Sequence, residues 1–503
     1  MDISVGLDVG TTAIKAGAYA PDGTVLAQSD AATDVLRDPS GLSEQDPHAI
    51  WSLTADCLRR LTRQVDATRI TSVGVCAQGD GFWAVDADGA PVHNAILWTD
   101  TRRDIAEDLA ALKAGGALAQ VGRGCHTALW PGTSALGWRW LRAHRPKAAA
   151  RVAHVFTCGD WIGLKLTGQP GTDFANATIP FLDLATRGYG AALSALDCDD
   201  LRHRLPQPQS AHTPLGRITA GAAAATGLPE GVSVSVPTID IGAMLVGLGM
   251  AAPGEAMMVL GTTAVVNILC DLPDPVDDPV AASVLHPTSA ALIRVLAPTT
   301  GAAAFDWFAS LHPQTLGGQG AGEIADKLNA LVQDVPVGSN GVTFLPYLNG
   351  ERAPFVDPSI RAAFWGLSGA TTKGELGRAV MEGAALSLRH CLEAEHGLPG
   401  HPIHLTGGGA RNPVWCQIIA DVIGQDVLVN PSSDLGLWGA ACLGRAAQSG
   451  ADPIALAQRS VPVDRYAAAP QRHAAYGPIF ARYRTISTAM QRTQMDLNAL
   501  ERS

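Results

Sequence analysis

Two stretches of this 503-residue chain carry the same pattern of apolar and polar positions. Residues 3–19 read ISVGLDVGTTAIKAGAY and residues 255–270 read EAMMVLGTTAVVNILC. In each, an apolar, β-rich run enters a Gly-Thr-Thr corner and a second apolar run leaves it, which predicts a β-hairpin. Between the two hairpins the pattern alternates. It predicts a helix over Pro47–Thr62, a strand over Ile70–Cys76, and a DADG turn at Asp86–Gly89 joining FWAV to a strand that ends at Trp98. Helices follow near Asp104–Ala114 and Thr133–Arg142. The Gly- and Pro-rich stretch Gly247–Glu255 reads as an interdomain hinge. Beyond it come the second hairpin, a strand near Ala291–Ala297, a helix from about Ala303, and a terminal helix in the last 30 residues. Such alternation predicts an α/β architecture with a mixed or mostly parallel sheet, in two domains, 1–246 and 247–503.

Composition narrows the classes. With 47% hydrophobic and 17% charged residues, the chain can bury large cores. A formal charge of −11 provides no basic stripe for nucleic acid. No apolar run reaches the roughly 18 residues of a membrane span. The first hairpin begins at once, which leaves no room for a signal peptide. Nine scattered cysteines without a C-x-x-C pair read as reduced core thiols of a cytoplasmic protein.

Four features could carry chemistry. The hairpin tips offer glycine, which lets a ligand approach the backbone, and successive N–H groups that form an anion-binding concavity. Two of them half a chain apart suggest two related domains that close on one polyphosphate. In HLTGGGARNPVW (404–415) a short strand meets three glycines, and Asn412 and Pro413 then open a helix that ends near Gly424. The spacing is G-x-G-x-x-N, not a dinucleotide fingerprint, and a plain tight turn accounts for the loop equally well. Asp240 ends an apolar run at the domain junction, which suits both a working carboxylate and a helix cap. Asp8 stands on an apolar strand just before the first corner, where a phosphate would repel it unless a cation such as magnesium intervened. The signatures GxxxxGK[ST], HExxH and GxSxG are absent from the chain.

One further segment ties these features together. LPYLNGERAP (345–354), followed by Asp357-Pro358, Arg361 and Gly366-Leu367, resembles the signature of the FGGY family of carbohydrate kinases, apart from Ala362 in place of the usual glycine. LDVGTTAIK, TGGGARNPVW and DLGLWGAA (434–441) match the same family in order. The resemblance implies two ribonuclease-H-like α/β domains, related to actin and the Hsp70 ATPase, around a deep cleft. It implies that Asp8 orients magnesium, that Thr11, Thr12 and Lys15 approach the terminal phosphates of ATP, and that Gly261 and Thr262 hold them from the other side. Gly408, Gly409 and Asn412 would lie against adenosine, and Asp240 would be the catalytic base that orients the acceptor hydroxyl.

The substrate loop reads Ala77-Gln78-Gly79-Asp80-Gly81-Phe82-Trp83. Glycerol kinases resemble Gln-Arg-Glu there and D-xylulose kinases Gln-Met-His, whereas Gln-Gly-Asp is similar to erythritol kinases and Ala-Gln-Gly to L-xylulose kinases. Residues 129–141 and 158–168 resemble the last two subgroups. Gln78 and Asp80 would then take substrate hydroxyls, with Trp83, Trp98 or Trp130 against the carbon chain or simply in the core. Asp100 and Arg102 would shape the pocket, and Asp160 would touch substrate or cap the next helix. The expected protein is an ATP- and magnesium-dependent kinase of a primary hydroxyl on a small polyol or ketose, of erythritol or pentulose type. Its partner would be that small molecule, with no nucleic acid and no membrane, and with a homodimer left open. The alternatives are another sugar such as D-xylulose, or a nucleotide-dependent switch with no sugar acceptor.

Overall fold

The computed structural model describes residues 2–277, 279–318, 321–395, 400–430, 434–459 and 463–502. The chain forms two compact units. The first gathers Met1–Ala252, Asp271–Ile293 and Asp434–Ser460; the second gathers Pro253–Cys270, Arg294–Ser433 and Val461–Ser503.

The sheet of the first unit is built on the opening hairpin, β1 (Ile3–Val9) and β2 (Ala13–Tyr19), followed by β3 (Val25–Ala32). β4 (Ile70–Ala77) lies parallel to β1 on its other side. β5 (Pro214–Arg217) pairs antiparallel with β6 (Ser233–Ser235), and β6 and β7 (Thr238–Ile239) both run parallel to β4. β1 is covered on both faces, which explains its nearly unbroken apolar sequence. Helix α1 (Pro47–Thr62) covers one face with Ile50, Cys57, Leu58 and Leu61. It starts where the sequence marks a start: Asp46 accepts the N–H of His48, and Pro47 occupies the first helical position.

Two further helices of this unit position the site. α2 (Cys158–Thr167) belongs to the core around β4, and α3 (Asp240–Gly247) leaves directly from β7.

The second unit repeats the motif. Strands β8 (Ala256–Leu260) and β9 (Ala264–Cys270) form the second hairpin, and β10 (Ile403–Thr406) runs parallel to β8 as β4 does to β1. β11 (Val427–Val429) and β12 (Asp464–Tyr466) extend the sheet. The helices of this unit include α4 (Lys373–Glu395), α5 (Pro413–Ile423) and α7 (Pro470–Arg502). Trp415 of α5 donates to the Met381 carbonyl of α4 at 3.0 Å. Tyr347, in the signature segment, hydrogen-bonds Ser487 of α7 at 2.8 Å.

The second face of the first sheet is covered by α6 (Leu435–Ser449), a helix drawn from late in the chain. It packs backbone against backbone. A Cβ on Gly74 of β4 would lie 1.7 Å from the Ala440 carbonyl oxygen, and one on Gly6 of β1 would lie 1.9 Å from that of Leu437. A Cβ on Gly439 would lie 1.8 Å from the Ala243 carbonyl oxygen of α3, and one on Gly247 2.2 Å from that of Leu435. Glycine is required at these positions by the closeness of approach, whatever its backbone angles. Asp434 accepts the Tyr19 hydroxyl at 2.8 Å and pins the start of α6 to β2.

Overpacking of this kind typically costs about 1–3 kcal/mol. Gly74→Ala and Gly439→Ala should therefore each lower the thermal midpoint by several degrees. Gly221→Ala, where a Cβ meets nothing within 4 Å, should leave it unchanged or raise it. Equal midpoints for all three in thermal melts would refute the close-packing account.

Candidate active site

Three parallel strands of the first sheet bring their carboxyl ends together. In register, Asp8 on β1 lies beside Cys76 on β4, and Cys76 lies beside Thr238 on β7, two residues before Asp240. Asp240 begins α3, and its carboxylate accepts the N–H of Ile241 at 2.7 Å. Both aspartates are half-buried in a wall that also contains Cys76, Ala243 and Ala440. The Cys76 thiol donates to the Gly436 carbonyl at 3.6 Å, so the first turn of α6 sits against the same wall. Burial, reinforced by the neighbouring Asp240 and opposed by Lys15 across the hairpin, raises Asp8 from 3.8 to about 7. Burial likewise pushes Asp240 up to about 6. The sequence marked both aspartates but not Cys76, which reads as one more small core residue.

The tip of the first hairpin is tied to the substrate loop. Gln78 donates its backbone N–H to Val9 at 3.0 Å. The Thr11 hydroxyl donates to Gln78 Oε1 at 2.8 Å and accepts from Trp98 Nε1 at 3.1 Å. Trp130 in turn donates to the Trp98 carbonyl at 3.1 Å. Gln45, which the sequence does not single out, is fully buried and bonds both Gln78 and the Thr11 carbonyl. Thr12 and Lys15 are exposed.

Asp80 adopts a left-handed backbone (φ 54°) and is 6% exposed. Its Oδ1 accepts the N–H of Ser134 at 3.1 Å, and its buried Oδ2 has no partner. Burial raises its pKa well above the usual carboxylate value. An unpaired buried carboxyl oxygen is costly, and a ligand hydroxyl would satisfy it. The loop is held down at Gly79, where a Cβ would lie 2.0 Å from Ile239 Cδ1.

Other residues expected near the site have structural partners. Asp160 caps α2, accepting the N–H of Thr157 at 3.0 Å. Arg102 is locked between Glu44 and Asp100, 2.7 Å from each. Trp83 is a core residue packed on Trp161, with ring centroids 5.9 Å apart. All nine cysteines are buried, and among the described residues none forms a disulfide.

In the second unit, the tip Gly261-Thr262-Thr263 is braced from below. Gly301 and Ala303 donate N–H groups to the Thr262 carbonyl at 3.0 and 3.2 Å, and Ala302 donates to that of Gly261 at 2.6 Å. Glu351 of the signature segment is buried and accepts the N–H of Thr299 at 2.8 Å, so it anchors this bracing loop. The sequence shows Glu351 only as part of the signature, with no role attached. The glycine loop leaves β10 as expected. Gly409 is required by contact, since a Cβ there would meet Leu260 Cδ2 at 2.6 Å, whereas Gly408 is exposed with nothing within 4 Å. Asn412 caps α5 by accepting the N–H of Trp415 at 3.1 Å, and its buried amide nitrogen is unpartnered.

Two sheets of one topology, each led by a Gly-Thr-Thr hairpin, with paired carboxylates at the strand ends of the first, describe a phosphotransferase. Residues 3–247 match the model of the FGGY family of carbohydrate kinases, N-terminal domain, and residues 256–448 match that of the C-terminal domain. The chain belongs to the FGGY family of carbohydrate kinases. It is 29% identical to the xylulose kinase of Escherichia coli (strain K12), over 94% of this chain and 96% of that one. It is 27% identical to the erythritol kinase of Brucella abortus (strain 2308), over 88% of this chain and 87% of that one. Among solved structures, a xyloylose kinase from Brucella ovis superimposes with a TM-score of 0.87 at 25% identity, covering 98% of this chain and 100% of that one. The expected two-domain α/β fold is therefore the fold of the protein. The family's phosphate donor is ATP, and a small sugar is its acceptor. No described helix is long and apolar enough to cross a membrane.

The wall carboxylates make a prediction about stability. Because both folded-state pKa values exceed the ordinary 3.8, the folded protein keeps protons that the unfolded chain has released. These groups therefore lower stability progressively as pH rises from about 4 through 7. Without ligand or divalent metal, the thermal midpoint should fall between pH 5 and pH 8, and Asp8→Asn should flatten that fall. A variant with the wild-type slope would contradict the assignment of strain to this wall.

Proposed function

We propose that the protein transfers the γ-phosphoryl group of magnesium-bound ATP to a primary hydroxyl of a four- or five-carbon polyol or ketose, of the erythritol or pentulose type. The observation that carries this reading is the convergence of Asp240 and Asp8 at the carboxyl ends of parallel strands, where open α/β sheets hold working groups. Asp240 orients the acceptor hydroxyl and takes its proton. Raised to about 6, it is still largely ionised at neutral pH and is more basic than an ordinary aspartate.

Magnesium fits the wall. Among the described residues no three His, Cys, Asp or Glu side chains are grouped to hold a metal, but magnesium characteristically uses one or two carboxylates, waters and substrate phosphates. Asp8 would hold it, relieving the repulsion from Asp240 that helps to raise the Asp8 pKa. When bound, the ion neutralises charge on the transferring phosphates. The N–H groups of the first tip, with Thr11, Thr12 and Lys15, take the terminal phosphates, and Gly261 and Thr262 contribute from the second tip. Gly408 presents bare backbone to adenosine, beside Gly409 and Asn412.

For the acceptor, the unpaired Oδ2 of Asp80 and the amide of Gln78 suit vicinal hydroxyls, with Trp130 along the carbon chain. The relatives named xylulose kinase and erythritol kinase support an acceptor of that length. D-Xylulose is the nearest alternative.

Asp240→Asn should lower turnover with the preferred acceptor by about 10²–10⁴-fold, the usual contribution of a positioned base. Its affinity for MgATP, measured by calorimetry, should be little changed. Turnover near the wild-type rate would mean that another group accepts the proton.

A further inference from the structure

The first unit holds a cavity of about 230 Å³ that shares no residue with the aspartate wall, and no carboxylate lines it. His286, which lines it, is 2% exposed. The ring Nδ1 accepts the N–H of Thr288 at 3.3 Å, and burial pushes the ring down to about 4. The imidazole is therefore neutral, with its one proton on Nε2. That Nε2 is buried without a hydrogen-bond partner; the Met250 carbonyl lies near enough to favour a charged ring, but out of hydrogen-bonding geometry. Two more donors line the cavity. Arg187 has its guanidinium 5.9 Å from the centre of the Phe174 ring, and among the described residues no hydrogen bond or ion pair holds it. The Ser210 hydroxyl likewise makes no hydrogen bond among them. The hydroxyls of Thr288 and Ser289 are already engaged, with the His286 ring and the Ala251 carbonyl. The groups left free are all donors, and a buried donor is unfavourable until an acceptor arrives.

We propose that this cavity is a second anion site, separate from the hairpin tips, and that it takes a small phosphate group, free or as a monoester, on Arg187, Ser210 and the Nε2–H of His286. A guanidinium and two neutral donors from three separate segments suit the several oxygens of phosphate, and no carboxylate opposes its charge. The segments that would be bridged are those that support the candidate base. Pro287 packs on the first turn of α3, where a Cβ on Gly242 would lie 2.6 Å from Pro287 Cγ. The short helix Phe174–Thr178 is tied to β7 by Asp173, which accepts the Thr238 hydroxyl at 2.6 Å. An anion in the cavity thus joins the frame behind Asp240 and stabilises the folded unit by mass action. The inference stands apart from the kinase reading, since it uses none of the residues assigned to transfer.

The test uses the full-length protein with inorganic phosphate as probe, and with MgADP in excess to occupy the hairpin tips. Thermal midpoints are compared in phosphate and in chloride of equal ionic strength. Phosphate should raise the wild-type midpoint, Arg187→Gln should lose most of that rise, and Ser210→Ala part of it. In chloride Arg187→Gln should melt with the wild type, because the side chain is exposed. Calorimetry should show phosphate binding weakened about ten-fold or more by Arg187→Gln, the scale of a hydrogen bond to a charged group. Methyl phosphate, titrated in parallel, separates the two sources: tighter binding than inorganic phosphate marks a monoester as the occupant, and weaker binding marks the free ion. An equal rise in the wild type and in Arg187→Gln would be the non-specific effect of an excluded salt and would overturn the site. So would the absence of any rise in the wild type.

Discussion

The arrangement on which the rest of this molecule depends is the contact of α6 with the first sheet and with α3. Side chains normally hold a helix some 10 Å from the sheet or helix it covers. Here Gly6, Gly74, Gly247 and Gly439 remove that spacer, so that peptide groups of β1, β4, α3 and α6 touch directly. Peptide planes are far stiffer than side chains, and contacts between them leave few alternative packings. The same contact places the first turn of α6 against Cys76 and beside Asp8. The site is thus built on this close backbone packing, and a helix distant in sequence completes it.

That rigidity tolerates an unfavourable electrostatic arrangement. Asp8 and Asp240 share a poorly solvated wall that holds both pKa values above the ordinary range. Asp80 adds a buried carboxyl oxygen without a partner, on a left-handed backbone. Each lowers the stability of the ligand-free protein, and each is relieved by what the proposed reaction brings: a divalent cation, phosphate charge and sugar hydroxyls. The ion triad of Glu44, Asp100 and Arg102 is the opposite case, since its charges are paired within the protein.

Much of this was legible in the chain. The hairpins, α1 with its Asp46 cap, and α5 with its Asn412 cap follow from local patterns that the fold does not override. Asp240 and Asp8 stood out as charges on apolar strands, a contrast that survives folding. Asp160 did not resolve itself, because an aspartate three residues after a threonine at a helix start suits both a capping box and a substrate contact. The structure shows the capping box, which uses Oδ2 and leaves Oδ1 buried without a partner. Trp83 was equally ambiguous until the Trp161 ring was placed on it. Gln45 was not legible at all: its neighbours Ser43 and Glu44 are polar and also buried, and nothing local distinguishes such a strand from a surface one. The placement of α6 could not be read either. Its glycines are half of a contact whose other half lies hundreds of residues earlier, at Gly6 and Gly74.

The central claim is that the Asp8–Asp240 wall serves phosphoryl transfer to a small sugar and not nucleotide hydrolysis alone. The most direct test is ADP release from MgATP by the wild-type protein, alone and with erythritol, L-xylulose, D-xylulose, D-ribulose, L-ribulose and glycerol in turn. The account predicts little release without acceptor and a large stimulation, at low KM, by one four- or five-carbon acceptor. Steady ADP release that none of the six alters would contradict it, and would identify a nucleotide switch built on a kinase fold.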